Sequence, residues 1–173
     1  MLEVYKNLLT ELGSDLHART IAGEQMQITR FQIGNGSYSG TESDAVLARM
    51  TALKSPKNSY GVSRVEEANQ ATCKLTLVAT NEEILAGYFV TEIGIFAKGQ
   101  DNVEILYSII IADPAHPDWM SAYNSVAPGS LRYFDYISVG NAANVTIAPG
   151  SGGVLTLDDI ATAEETAEFL GIE

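Results

Sequence analysis

Alternating apolar and polar residues recur through the middle of the chain and predict a set of β-strands. In the clearest case, residues 71–80, the apolar side chains share one face of an extended chain: Ala71, Cys73, Leu75, Leu77 and Ala79. Threonine and lysine side chains occupy the opposite face. A period of two residues is typical of a half-buried strand, so the pattern places the thiol of Cys73 in the core.

Five other segments of the chain have strand patterns, and the helical patterns lie at its two ends. These strand segments are 26–36, 87–99, 103–112, 131–140 and 143–149. The segment 103–112 is apolar on both faces, which is typical of a central strand, and no strand–helix alternation indicates a parallel sheet. The sequence therefore predicts an α+β, mainly β fold: an antiparallel sheet or sandwich of about six to eight strands with an N-terminal helix packed on it and a short C-terminal helix.

Each end of the chain has its own apolar spacing. Leu8, Leu12 and Leu16 predict an amphipathic helix that ends near Gly23. At the other end, a glycine-rich linker precedes a thin apolar seam: Ile160, Ala163, Ala167 and Leu170. This seam is too short for a coiled coil alone, so it predicts a helix that either docks on its own domain or begins a stalk. We expect one domain at 1–150, then a linker and helix at 151–173.

Composition and charge narrow the class of partner. A chain of 173 residues with 46% hydrophobic content suits one sizeable core. The formal net charge of -12 argues against nucleic acid and anionic membranes, because the field of the protein would repel both. No segment approaches the roughly 20 apolar residues of a membrane span, and the N-terminus lacks the pattern of a signal peptide. A protein partner fits these properties better.

The sequence contains no recognisable catalytic, cofactor-binding or metal-binding motif. The single cysteine excludes an internal disulfide and a cysteine-rich zinc site. His17 and His116 are expected at the surface, without ligands at metal-binding spacing, and no phosphate-cradling or nucleophile motif is present. We therefore predict no enzyme, no cofactor and no metal. A hydrolase that uses Glu92 and Asp135 is a third alternative, although no motif surrounds either carboxylate.

A long connection at 112–130 holds three of the five prolines together with Trp119 and Tyr123. A loop of this length is often functional, and exposed aromatic side chains commonly anchor protein or sugar recognition. The alternative is that Trp119 folds back as a lid over one end of the sheet.

One carboxylate, Glu92, stands inside the apolar strand pattern of 87–99, where an unpaired charge is costly. Alternation puts it on the same face as Val90 and Phe96, so we expect it to be buried and to need a cation or several donors. Arg30 is the predicted partner because its planar guanidinium suits a carboxylate, and Arg64 is the second choice. The predicted role of the pair is structural, a link between two strands.

The order of these segments resembles the N-terminal domain of phage tail-collar fibre proteins, which occur in contractile phages, prophages and phage-derived bacteriocins. The resemblance covers roughly residues 9–149, and its sharpest parts lie on two strands: Arg30 with Gly34, Asn35 and Gly36, and Glu92 with Gly94 and Phe96. The family usually has Asp where this chain has Asn35, and often a basic residue where it has Thr91.

What the resemblance implies is a virion structural protein without enzymatic activity. It implies a domain that attaches a tail fibre to the baseplate for host attachment, made in the bacterial cytoplasm and usually trimeric. Trp119, Tyr123 and the C-terminal seam are then candidate contacts with baseplate or other tail proteins. The chain would be either part of a longer fibre or a short adaptor. The alternative function is a β-rich carbohydrate-binding module that recognises a receptor through Trp119, Tyr123 and Tyr133.

Overall fold

This computed structural model describes residues 2–148 of the chain. They contain eleven strands and two α-helices. The strands are β1 Val4–Leu9, β2 Met26–Gly34, β3 Pro56–Tyr60, β4 Arg64–Asn69, β5 Thr72–Thr80, β6 Tyr88–Val90, β7 Glu92–Lys98, β8 Ile105–Ala112, β9 Asp118–Met120, β10 Ser130–Ser138 and β11 Val145–Ile147. The helices are α1 Glu11–Ile21 and α2 Asp44–Ala48, and a 3₁₀ turn spans Ala142–Asn144. The α+β, mainly β fold is confirmed.

The strands form one large sheet, one small sheet and a hairpin-like pair. The large sheet has the order β1-β8-β7-β2-β11, and β3 also pairs with β2; the small sheet is β10-β5-β4, and β6 pairs with β9. β8 lies between β1 and β7, so the prediction of a central strand at 103–112 is confirmed. Neighbours pair antiparallel, except that β11 runs parallel to β2.

The main core lies between the two sheets. Its largest fully buried side chains include Phe31, Ile95 and Tyr107 from the large sheet and Leu75 and Leu77 from the small one. Cys73 belongs to this core with 1% of its surface exposed, as its alternating strand predicts, and burial raises the pKa of its thiol. A buried thiol that resists ionisation is a poor nucleophile.

A second cluster covers the opposite face of the large sheet. It consists of Ile109 and Ile111 from β8 with Leu47 of α2 and the neighbouring Leu53. Ile110, which points the other way, belongs to the main core. Because β8 is covered on both faces, its sequence is apolar without alternation.

The N-terminal prediction is wrong in where the helix begins. Residues 4–9 form β1, in which Leu8 pairs with Ile109, and α1 starts only after Thr10, whose side chain accepts a hydrogen bond from Gly13 N–H. Leu12 is 47% exposed, whereas Leu16 is buried. Pairing along the edge of β8 therefore outweighs the four-residue leucine spacing. The helix ends at Ile21, close to Gly23, which has a φ of 111°.

Other sequence predictions need correction where the elements are short or polar. Eleven strands replace the expected six to eight in the described residues, because β1, β3, β4 and β9 lack a clear apolar alternation and one expected strand divides in two. α2 lies inside the chain, so helix is not confined to the two ends as the patterns predicted. The strand expected at 87–99 divides at Thr91: β6 pairs with β9, and β7 joins the large sheet. The linker and helix expected at 151–173 lie outside the described residues.

Candidate functional site

The carboxylate of Glu92 is completely buried and accepts four hydrogen bonds. Its Oε1 accepts from the backbone N–H of Gly36 at 3.1 Å and of Ser55 at 2.8 Å. Its Oε2 accepts from the backbone N–H of Lys54 at 3.0 Å and from the hydroxyl of Tyr38. Two carboxylate oxygens offer about four acceptor positions, so every position is used. The expected burial is confirmed, and the partners are donors rather than a cation.

Two glycines make room for this carboxylate. A Cβ atom on Gly34 would lie 2.6 Å from Glu92 Oε1, and one on Gly36 would lie 2.7 Å from the same oxygen. Asn35, between them, donates its N–H to Ser55 O at 3.0 Å, and its Oδ1 accepts from Ser55 Oγ at 2.7 Å. The Gly-Asn-Gly stretch therefore ends β2 and also leaves room for the side chain of Glu92 to lie close to the backbone. The two stretches that carry the family resemblance form one unit.

Arg30 does not pair with Glu92, so that prediction is wrong. In the β2–β7 ladder Arg30 stands opposite Phe96, whereas Glu92 stands opposite Gly34. Four residues along a strand separate the two positions by roughly 13 Å, beyond the reach of a salt bridge. Arg30 instead pairs with Glu104 at 3.1 Å and lies 3.8 Å above the centre of the Phe96 ring. Arg64, the second choice, pairs with Glu66 at 3.1 Å.

The ammonium of Lys54 acts on Glu92 only indirectly, through Tyr38. The ammonium of Lys54 lies 4.0 Å from the centre of the Tyr38 ring and donates to Ser37 O at 2.9 Å. Burial, and then the hydrogen bond to Glu92, raise the pKa of Tyr38, which keeps the phenol protonated as a donor. The carboxylate of Glu92 thus links the start of β7 to residues 36–38 and to residues 54–55. The site is a structural cross-link with no open position for a ligand.

Aromatic side chains are exposed where β6 meets β9. Phe89 and Trp119 stand opposite each other in this pair, with ring centres 4.9 Å apart and planes at 66°, and each is 53% exposed. Trp119 also rests on Gly87, where a Cβ atom would lie 2.5 Å from its ring. The indole is therefore supported from below and open to solvent on its other side. Tyr123 is half-buried.

Asn81 organises the two loops beside this aromatic pair. Its side-chain amide donates to Ser121 O at 3.1 Å and to Ala122 O at 3.2 Å, and its Oδ1 accepts from Gly129 N–H at 2.7 Å. The loops that it joins expose Leu85 by 98% and Val126 by 85%. We call Leu85, Phe89, Trp119 and Val126 the aromatic end. Sequence reasoning missed Asn81, because a single asparagine after a strand reads only as a turn residue.

Tyr133, the third aromatic residue of the alternative carbohydrate site, faces inward. It packs against the main core, and its hydroxyl donates to Asp118 Oδ2 at 3.1 Å. Burial, followed by the charge of Asp118, raises the pKa of this phenol. Only part of the Tyr133 ring can therefore reach a sugar, so the three aromatic residues do not form one open platform.

An open pocket of about 320 Å³ is lined by residues of β1, α1, β8 and β10. His17 Nδ1 forms a 2.6 Å hydrogen bond with the hydroxyl of Tyr107 in its wall. Asp135 Oδ1 accepts from Asn7 Nδ2 at 2.9 Å, and Asp135 is 7% exposed. His17, expected at the surface, has intermediate exposure, and its ring lies against β8. Glu92 is not part of this wall, so the two carboxylates of the hydrolase alternative do not share a pocket.

Burial shifts the titration of three side chains in the pocket, those of His17, Asp135 and Tyr107, toward the neutral form. It lowers the pKa of His17, with a smaller opposing effect from the carbonyl of Ser138. It raises the pKa of Asp135, against the hydrogen bond from Asn7, and it raises the pKa of Tyr107. The pocket therefore favours uncharged groups.

Among residues 2–148, one group of side chains has the spacing of metal ligands: Glu3, Asp113 and His116. Their ligating atoms lie within 4.8 Å of one another, and His116 Nδ1 is 3.2 Å from Glu3 Oε2. A carboxylate is therefore within metal-ligand spacing of His116, contrary to the sequence prediction. Glu3 was missed because it comes from the other end of the chain. Exposed carboxylates beside an imidazole also form simple ion pairs, so this geometry alone does not define a metal centre.

No helix in the described part of the chain is both long and apolar enough to cross a membrane. Comparison with models of known families, with curated proteins and with solved structures gives no match to the chain. Arguments about function therefore rest on the sites themselves.

Proposed function

We propose that this protein is a structural component of a phage or phage-like contractile tail, in which residues 1–150 attach a tail fibre to the baseplate. The observation that carries the proposal is the joining of the two signature stretches around Glu92: its carboxylate accepts from Gly36 N–H and lies against Gly34. The contacts with one buried carboxylate give a structural reason for the order and separation of the two stretches in this chain. In this role the protein is not an enzyme and needs no cofactor.

The aromatic end is the proposed contact with the baseplate. Its four side chains are at least half exposed, and they are held by the β6–β9 pair and by the hydrogen bonds of Asn81 rather than by free loops. Rigid aromatic anchors lose little conformational entropy on binding, which is why such residues dominate protein interfaces. The net charge of -12 favours a partner with a basic rim around its apolar pocket.

The test is binding to the baseplate proteins encoded in the same tail-gene cluster, measured with purified full-length chain. Leu85→Asp and Val126→Asp place charge on the aromatic end at positions that contribute little to folding. Val103→Asp is the matched control, because Val103 is 57% exposed and lies between β7 and β8. We expect the first two variants to weaken binding at least about tenfold, a loss of roughly 1.4 kcal/mol, and the control to bind as the unmodified chain does.

Carbohydrate recognition remains the second candidate function because the indole of Trp119 is 53% exposed. A glycan array distinguishes the two candidates. Binding of a sugar that Trp119→Ala abolishes, together with no binding to any baseplate protein, would replace the docking proposal. A baseplate gene beside this one would favour docking.

A further inference from the structure

The small sheet packs one face on the main core and turns its other face outward. On β10 the side chains that point away from the core are exposed, and those between them are buried or half-buried. Phe134 is 48% exposed and Tyr136 is 60% exposed, whereas the shorter Thr76 and Val78 on the same side of the sheet are buried. We call this side of β10, β5 and β4 the outer face. Two exposed aromatic rings on one strand indicate an interaction surface.

The charge of the outer face is opposite in sign to that of the whole chain. It holds three cationic side chains and one carboxylate: Arg64, Lys74 and Arg132, with Glu66. Glu66 lies 3.1 Å from Arg64 and 3.6 Å from Lys74, and the Lys74 ammonium lies 4.3 Å from the centre of the Phe134 ring. In a chain of formal net charge -12, a surface with an excess of cations and exposed aromatic rings favours an acidic partner.

The chain itself contains a segment of matching chemistry outside the described residues. Residues 151–173 carry six carboxylates and no lysine or arginine. In a helix, the form that the spacing of the apolar seam predicts, Asp158, Glu165 and Phe169 share one side, and the seam lies on the opposite side. The first side offers carboxylates for cations and a phenyl ring for aromatic side chains. The seam stays available for self-association.

The described part of the chain ends close to the outer face. β11, whose last residue is Ile147, contacts β4, the edge strand of the small sheet. The 3₁₀ turn before β11 is held near the same edge by a hydrogen bond from Ala142 N–H to Gln70 O at 3.0 Å. Three strands span roughly 10 Å, and the residues 149–156 can extend over roughly 26 Å. The linker is therefore long enough to carry the acidic segment around β4.

We propose that the side of residues 157–170 that carries Asp158, Glu165 and Phe169 docks on the outer face of the small sheet of the same chain. The two carboxylates then lie near the cations of that face, and the phenyl ring lies near its aromatic rings. A short linker gives the segment an effective concentration in the millimolar range, which favours the same chain over a second copy. The outer face shares no residue with the aromatic end, so the proposal does not depend on baseplate docking.

A spin label attached to Thr166→Cys in the full ¹⁵N-labelled chain tests this docking. In a helix, residue 166 lies between the docking side and the seam, and Cys73 is 1% exposed, so the label attaches at residue 166. We expect the label to weaken the amide signals of residues 72–78 and 132–138. These signals should partly return at an ionic strength of about 1 M, where the screening length is roughly 3 Å. A mixture of spin-labelled chain without ¹⁵N and ¹⁵N-labelled chain without the spin label should show no weakening at this face.

Two charge reversals in the spin-labelled chain, each with a matched control, test the contact from both sides. Glu165→Lys alters the docking side of the segment, and Glu164→Lys makes the same change on another side of the helix. Arg132→Glu alters the outer face, and Lys57→Glu makes an equivalent change at an exposed position of β3. We expect Glu165→Lys and Arg132→Glu to restore the weakened signals, and both controls to leave them weakened. No weakening at the outer face in the chain without a charge reversal, weakening in the mixed sample alone, or equal weakening in Glu165→Lys and Glu164→Lys would overturn the proposal.

Discussion

Glu92 shows that a buried carboxylate can be satisfied by neutral donors alone. Three backbone N–H groups and the hydroxyl of Tyr38 replace the cation that its apolar setting suggested. Backbone donors are invisible in a sequence, because every residue except proline carries one. Burial of Glu92 could therefore be predicted, whereas its partners depend on where residues 54–55 fold.

Glu92→Gln should lower the free energy of unfolding by about 2–4 kcal/mol. The amide that replaces one oxygen would face N–H or O–H donors and leave them unpartnered. Arg30→Met should cost only about 0–1 kcal/mol, because the Arg30–Glu104 pair is partly exposed. Chemical denaturation of both single variants and the double variant measures this, and we expect the losses to add. A coupling above about 0.5 kcal/mol would contradict the separation of the two sites.

His17 should make stability depend on pH near neutrality. Burial lowers its pKa below the ordinary value of 6.5, so on acidification the unfolded imidazole takes up its proton first. The stabilising contribution is therefore complete above about pH 6.5 and is lost as the pH falls through the lowered pKa. Tyr107 and Asp135 also line this pocket, and the pKa of Asp135, raised from 3.8, gives an opposite and more acidic effect.

Urea denaturation at about pH 7.5 and about pH 5.5 tests this sign. His17→Gln should reduce the loss of stability between the two values, and His116→Gln, which removes the other histidine, should leave the contribution of His17 in place. An unchanged pH dependence in His17→Gln would show that the ring titrates alike in the folded and unfolded chains.

At the scale of elements, α1 is fitted to the sheet at one position. A Cβ atom on Gly13 would lie 1.8 Å from Tyr107 O, so the first turn of the helix touches the backbone of β8. The Thr10 side chain caps this turn and also donates to Leu106 O. No local preference of the sequence indicates such a contact, since glycine inside a helix is usually a weakness.

Gly13→Ala should destabilise the protein by about 3 kcal/mol or more, although alanine is the better helix former by about 1 kcal/mol. Ala18→Gly, at an exposed position of the same helix, should cost about 1 kcal/mol. Thermal unfolding followed by circular dichroism compares the two. If Gly13→Ala were stabilising, α1 would not lie against β8 as described.

Elements with a strong apolar periodicity could be predicted from the sequence, whereas elements without it were missed. β2, β5, β8 and β10 are long, apolar on at least one face and were located correctly. β6 and β9 have three residues each, and their pairing depends on contacts between residues 30 positions apart, such as Phe89 with Trp119. The pocket combines four elements and was not predicted, since no local motif links His17 to Ser108 or Asp135.

For the whole molecule, the proposed role requires assembly. We expect the full chain to self-associate, most simply as a trimer, with residues 156–170 contributing an apolar seam. Light scattering on the full chain and on a version ending at Gly150 tests this, and we expect the shorter version to shift toward monomer. A monomer in both cases at high concentration, together with no baseplate partner, would count against the tail proposal.

The parallel pairing of β11 also has a mechanical consequence. Tension applied to the chain beyond residue 148 reaches the domain through three paired residues of β11 and the bond from Ala148 N–H to Ile28 O at 2.8 Å. A pull along the strand shears these bonds together, whereas a sideways pull opens them one at a time. The attachment should therefore resist axial load better than transverse load. Because β2 keeps its partners β3 and β7 when β11 detaches, the first rupture can leave the rest of the sheet intact.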